Sequence, residues 1–369
     1  MAKTPIGSAS HGAWAPPQTT SCAAARSPTA SRSFVFSVPG NSTGFRPAPM
    51  PCWPTCRVCP VARPFIPQAR ESWPTSSPSP NQSLRPMPRT LWLASYPKSG
   101  NTWFRIFLAN LLHPEQAPVD LNQLPERTPI ASSRGHFDDL LGVPSALLTQ
   151  TEIDRLRPAA DAELARAWDE PLLLRKAHDA YTRLPDGTPL MGQGPDFSAI
   201  YILRDPWDVA VSMTNHFNCD LDQAVANLTN PEFAVAKSKR NLNGQLRQQL
   251  GTWEMHASGW LQAPMPVCLL RYEAMKADPL PEFRRAVRFM ELPHDDDAIT
   301  AALEASRFER LQQAEQAKRF QETPKHTQAF FRRGISGEGL EKLTPEQRAP
   351  LEAMQQRIQA LIAQQGLAA

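Results

Sequence analysis

Four groups of residues have types and spacings suited to a strongly anionic ligand. The first is Tyr96-Pro97-Lys98-Ser99-Gly100-Asn101-Thr102-Trp103, a lysine in a turn broken by proline and glycine. The second is Lys176 and His178, at the end of an apolar run. The third is Arg204 with Ser212 eight residues on, and the fourth is Arg332-Arg333-Gly334. Lysine offers a point charge, arginine a planar fork of donors that fits a phosphate, and serine a hydroxyl. Histidine is the side chain that exchanges a proton near neutral pH.

These groups need elements to hold them. Residues 91–95 form a short apolar run suited to a buried parallel strand. From Asn101 the spacing turns helical, with Trp103, Ile106, Phe107, Asn110 and Leu111 at three- and four-residue steps, and Asn101 or Thr102 as the cap. Strand, tight loop and helix start place free backbone N–H groups and the positive helix end around Lys98, an oxyanion site. A nucleotide-binding loop of the G-x-x-x-x-G-K-[ST] kind is a poor match, because Lys98 precedes Gly100 and no such tripeptide follows.

Further strands are expected at 171–176, 197–203 and 267–271. Helices are expected at 206–216 (entered through Asp205 or Pro206), at 241–261, and from Pro279. Trp253, Met255 and Trp260 read as core. The spacing predicts a helical region over 151–167, interrupted at Pro158, and loops with short turns after 113. Thr344-Pro345-Glu346-Gln347 is a capping box that starts a final helix. Alternating strands and helices imply an α/β fold with a parallel sheet. Lys176, His178 and Arg204 then fall at carboxyl ends of strands, where such folds bind ligands.

The chain has 369 residues and a net charge of +3. Residues 1–86 carry Lys3 and seven arginines against the single acid Glu71, so the remainder stands at −4. A slightly acidic body argues against a general nucleic-acid binder. Residues 1–86 also hold 16 of the 38 prolines without helical or strand period, and are expected to be disordered. A mis-called upstream start, with Met87 as the natural one, is preferred over a targeting segment. Residues 87–369 form the single domain. Cys52, Cys56 and Cys59 lack a downstream partner pair and make a poor metal site. Two body cysteines, Cys219 and Cys268, fit a reducing, cytoplasmic compartment, and no run of 18 apolar residues suggests a membrane span.

The loop at 96–103 resembles the phosphosulfate loop of sulfotransferases that use 3′-phosphoadenosine 5′-phosphosulfate (PAPS), usually written YPKSGTTW, with Asn101 in place of Thr. Lys176-Ala177-His178 is similar to the family's K-T-H, with Ala177 for Thr. Arg204-Asp205-Pro206-Trp207-Asp208 through Ser212 resembles R-[ND]-P-x-D-x-x-x-S. Tyr272 to Pro279 is similar to Y-E-D-[ML]-K-x-D-P, and Ser306-Arg307-Phe308 loosely follows T-S-F. Arg332-Arg333-Gly334 through Gly337 resembles R-K-G-x-x-G-x-W-K, with Gly339 where Trp is usual.

The resemblance implies an α/β sulfotransferase domain that moves a sulfuryl group from PAPS to a hydroxyl or amine of a small molecule, releasing 3′-phosphoadenosine 5′-phosphate (PAP). It implies His178 as base, Lys176 as stabiliser of the sulfuryl oxygens, and Lys98 with the amides of Ser99, Gly100, Asn101 and Thr102 on the leaving phosphate. Arg204, Ser212, Arg332, Arg333 and Gly334 would hold the remote 3′-phosphate. Trp103, Tyr272, Ser306 and Phe308 would lie by the adenine. No metal is called for, and a monomer or homodimer is expected. The loops at 113–150 and 218–245 are expected to define the acceptor. A small-molecule or nucleoside kinase is the alternative enzyme, and a non-catalytic PAP-binding protein the alternative outside catalysis.

Overall fold

The computed structural model describes residues 88–237 and 243–367. The expected leader at 1–86 and its three clustered cysteines lie outside the described residues.

In chain order, β1 (Arg89–Ser95) leads to α1 (Asn101–Leu112), then the short helices α2 (Leu124–Arg127) and α3 (Arg134–Leu141), and α4 (Gln150–Arg166). Next come β2 (Leu172–Ala177), β3 (Phe197–Leu203), α5 (Pro206–Phe217) and α6 (Leu221–Thr229). A two-residue pair, β4 (Ala234–Val235) and β5 (Gln248–Gln249), precedes α7 (Trp253–Leu261), β6 (Val267–Arg271) and α8 (Tyr272–Ala277). The rest is helical: α9 (Pro279–Phe289), α10 (Asp296–Ala305), α11 (Phe308–Ala317), α12 (Glu338–Lys342) and α13 (Pro345–Gln364).

The main sheet is parallel throughout, in the order β2-β1-β3-β6. Its strands alternate between two buried faces, which explains their near-continuous apolar runs. Trp92 and Ala94 face one way with Ala199, Tyr201 and Leu269, and pack against α5, α7 and α13 through Val209, Trp253, Trp260 and Ile358. Leu91 and Leu93 face the other way with Ile200, Ile202 and Leu270, and pack against α1, α9 and α10 through Phe107, Phe283 and Ile299. The register sets Leu93 beside Lys176 on one side and Ile200 on the other, so three strands end together.

Four local expectations need correction. Neither Asn101 nor Thr102 caps α1. Its N-cap is Gly100, at φ 101°, with no side-chain cap. The Asn101 amide instead reaches back to Leu93 O (2.7 Å) and Ser95 Oγ (3.3 Å), tying the helix start to the strand end. The long helix over 241–261 is not formed. Residues 238–242 lie outside the described set, Gln248 and Gln249 pair with β4, and α7 starts only after Gly251 (φ 64°), capped by the Thr252 hydroxyl. Met255 is 52% exposed and outside the core, whereas Trp253 and Trp260 are buried in it. Finally, α4 runs through Pro158 without interruption. Proline removes only one ladder bond there, while the Thr149–Glu152 capping box and the buried Arg157–Asp179 pair hold the flanking turns. At the far end, the Thr344–Gln347 capping box forms as the sequence predicts.

Candidate active site

A cavity of about 980 Å³ opens over the carboxyl ends of the sheet strands. Its wall includes Lys98, Gly100, Asn101, Thr102, Trp103, Lys176, His178, Arg204, Ser212, Tyr272, Phe308, Arg332, Arg333 and Gly334. All but two of the residues singled out from the sequence therefore meet around one space. The exceptions are Ser99, which is buried under the loop with no partner for its hydroxyl, and Ser306. Ser306 is fully buried between α1 and α10, accepting from Asn110 Nδ2 (3.0 Å) and donating to Ala302 O (2.7 Å), so its role is to pack helices.

The loop after β1 turns through two left-handed residues, Lys98 (φ 73°) and Gly100 (φ 101°). That conformation is strained for lysine and free for glycine. Glycine is required at 100 for a second reason. A Cβ there would stand 2.6 Å from Cδ2 of Tyr272, whose ring lies against the loop. The Lys98 ammonium sits 4.1 Å from the Phe330 ring centroid. Burial, with the nearby charges of Arg204 and Lys176, brings its pKa down to about 8.

Arg204 leaves the tip of β3 and clamps two backbones at once. It donates to Lys98 O and to Ile335 O, each at 2.9 Å, and its guanidinium lies 4.4 Å from the Tyr272 ring centroid. Arg332 and Arg333 both pair with the buried carboxylate of Glu338, at 2.6 and 3.0 Å, and Lys342 joins them at 2.7 Å. These cations hold the Glu338 carboxyl down to about 2, against the opposing effect of burial. Asp208 orders the same segment from below, its two oxygens accepting from Gly337 N and Gly339 N at 2.8 Å each. Gly339 has a steric reason of its own, since a Cβ would meet the Trp207 carbonyl carbon and oxygen at 2.4 and 2.5 Å.

His178 follows the last residue of β2. Its Nδ1 lies 2.9 Å from Ser95 O. A carbonyl only accepts, so Nδ1 carries the proton and Nε2 keeps its lone pair. Burial and the neighbouring Lys176 charge push the His178 pKa well below the ordinary value, which keeps the ring neutral. The His178 carbonyl accepts in turn from Nε2 of the buried His256 (3.1 Å), whose Nδ1 then accepts from the Tyr201 hydroxyl (3.0 Å).

Lys176 is paired with a carboxylate. Its ammonium is 2.7 Å from Glu322, whose other oxygen is 2.7 Å from Arg105. Asp208, His256, Glu322 and Glu338 are the site residues that the sequence reasoning missed. Asp208 and His256 sit within recognised elements and Glu338 beside the double arginine, but Glu322 stands in no motif. The cavity wall also takes Pro125 from α2, Val235, Ala236 and Asn243 to Gln245 with Gln248, and adds 321–325, which the sequence reasoning did not single out.

Among the described residues no group of three or more His, Cys, Asp or Glu side chains could hold a metal ion, and no helix is long and apolar enough to cross a membrane.

The model of the sulfotransferase domain matches residues 88–365. Cytosolic sulfotransferase 17 of Arabidopsis thaliana is 26% identical over 281 residues, covering 72% of this chain and 73% of that protein. Sulfotransferase 1A1 of Canis lupus familiaris is 24% identical over 284 residues, covering 74% and 84%. A crystal structure of retinol dehydratase with androsterone and inactive cofactor PAP aligns at a TM-score of 0.49 and 17% identity, over 75% of this chain and 82% of that one. With a family match that spans three quarters of its length, over the region that builds both sheet and cavity, the chain belongs to the PAPS-dependent sulfotransferase family and is an enzyme of that class.

Proposed function

We propose that this protein moves a sulfuryl group from PAPS to a hydroxyl or amine of a small-molecule acceptor, with His178 as the base. The observation that carries this reading is the state of His178. Its Nδ1–H is committed to Ser95 O, its Nε2 lone pair is left available, and the ring stands in a cavity wall shared with Lys98 and Lys176. That is the arrangement a general base needs.

The residues present fit PAPS. The Ser99 hydroxyl is buried without a partner under a loop of backbone amides. Gly100 and Gly334 both leave the space that a Cβ would fill, one against Tyr272 and one against Phe308. Lys98, Arg204, Arg332 and Arg333 supply positive charge along the same wall. When bound, PAPS provides the sulfuryl group and a phosphate that leaves as PAP. Lys98 and the amides after it would neutralise charge on that phosphate, and Lys176 would face the sulfuryl oxygens. The arginine clip and Ser212 would anchor the remote 3′-phosphate, so that binding energy far from sulfur orients the reaction. Because Arg332 and Arg333 already share Glu338, a phosphate there joins an existing ion cluster and competes for its donors.

The test is release of PAP from PAPS across a panel of phenols, alcohols and amines, beside a calorimetric titration with PAP. Acceptor-dependent PAP release is the expected result. Tight PAP binding with no turnover on any acceptor would instead mark a PAP-binding protein, and ATP turnover would mark a kinase.

A further inference from the structure

Glu322 is the cavity-wall carboxylate that pairs with Lys176, and it has no part in the mechanism above. It lies on the segment after α11, lines the cavity, and its side chain is 21% exposed. Each of its oxygens is committed to a different cation. Oε2 is 2.7 Å from the Lys176 ammonium and Oε1 is 2.7 Å from Nη1 of Arg105. Arg105 is itself buried on α1, and its Nε donates to the Thr128 hydroxyl at 2.7 Å. The carboxylate thus joins the helix that follows the Lys98 loop to the strand that carries Lys176.

We propose that Glu322 is a positioning residue for sulfuryl transfer, holding the Lys176 ammonium charged and in place beside His178. This rests on the reading of the cavity as a PAPS-dependent transfer site. The need for such a partner is physical. Lys176 lies buried at the end of β2, where burial disfavours its charged form. The charges of Arg105 and Lys98 and the rings of His178 and His216 lie near enough to act with it, Glu315 acts on Lys98, and Glu322 is the carboxylate in contact with the Lys176 ammonium. A lysine whose partner is removed loses charge in such a place and becomes a poor stabiliser of anionic oxygens. Both Glu322 oxygens already accept from cations of the protein, which favours the positioning role over direct acceptor recognition.

The test reads Lys176 itself before it reads turnover. In ligand-free, full-length protein carrying ¹³C-labelled lysine, the Cε–H resonance absent from Lys176→Met reports the charge on Lys176. In Glu322→Gln the proton affinity of that ammonium is expected to fall tenfold or more. Glu322→Asp, which keeps the charge one methylene further back, should move it less and in the same direction. An unmoved titration in every folded variant overturns the proposal. The second readout is PAP release from PAPS in a double-mutant cycle. Glu322→Gln should slow it tenfold or more in the wild-type background and less than threefold in Lys176→Met, because the effect passes through the lysine. Equal losses in both backgrounds overturn the proposal. Absence of PAP release in the wild type would count against sulfuryl transfer instead, and the lysine titration would still decide whether Glu322 sets the state of Lys176.

Discussion

At the scale of single residues, the site pairs a lysine in a strained turn with a neutral histidine. Lys98 sits in a left-handed turn with its ammonium against the Phe330 ring. Replacing it with alanine should raise the barrier to transfer by ~2–4 kcal/mol, the scale of losing one oxyanion donor, read as kcat with a fixed phenol. Wild-type turnover in Lys98→Ala would remove it from the mechanism. For His178→Asn, turnover should fall by ~10²–10⁴-fold while PAP affinity holds, with the smallest defect on a low-pKa nitrophenol that needs least help from a base. Equal rates in variant and wild type on a high-pKa phenol would exclude His178 as base. The pH dependence follows from its depressed pKa. Activity is lost only when the ring gains a proton, so the acid limb of the kcat/KM profile should lie below the ordinary histidine value of about 6.5. A limb above that value would contradict a neutral ring.

At the scale of elements, what could be read from the sequence was what is written locally. Apart from the helix expected over 241–261, the strand and helix periods, the proline-started α5, α9 and α13, and the loop after β1 have short-range signatures, and each forms where the pattern puts it within a residue or two. The misses have non-local causes. Gln248 and Gln249 leave the helical pattern because they pair with β4, and Asn101 forgoes capping because Leu93 O and Ser95 Oγ are within its reach. No local rule could pair Glu322 with Arg105 and Lys176. Gly339 looked like a departure in the arginine element, yet it is where α12 presses on the backbone of Trp207 at the start of α5. Gly339→Ala should therefore destabilise the fold by about 1–3 kcal/mol, the usual range for overpacking. It should weaken PAP as well, because the residue before it, Glu338, organises Arg332 and Arg333. Thermal unfolding and PAP calorimetry check both, and a variant with unchanged melting temperature would show that α12 can shift to make room.

At the scale of the whole molecule, the chain holds neutral histidines, His256 fully buried and His178 partly so, at the strand ends below the cavity. Burial lowers the His256 pKa to about 4, and His178 is also depressed. The unfolded chain takes up protons on these rings near pH 6.5, the folded chain only lower down. Their contribution to stability is thus complete above about pH 6.5 and is lost as the pH falls below it, for His256 down to about 4, at up to ~1.4 kcal/mol per pH unit for each ring. Melting temperatures measured between pH 7.5 and 5 should fall with acid, and His256→Gln should flatten the slope. A flat wild-type profile would mean that the rings are protonated inside the fold.

The Glu322 bridge has a further consequence in the order of synthesis. Arg105 waits 217 residues, and Lys176 waits 146, for the carboxylate that neutralises them. The ribosome therefore releases a chain whose sheet strands are all made while two buried cations still lack their counter-ion. Such an intermediate has reason to stay open around α1 and β2, exposed to chaperones and proteases, until the last helices arrive. Stalled nascent chains captured on immobilised PAP should be retained only once residues through Arg333 have emerged, and capture of chains that stop before Glu322 would show that the anion site is built without it.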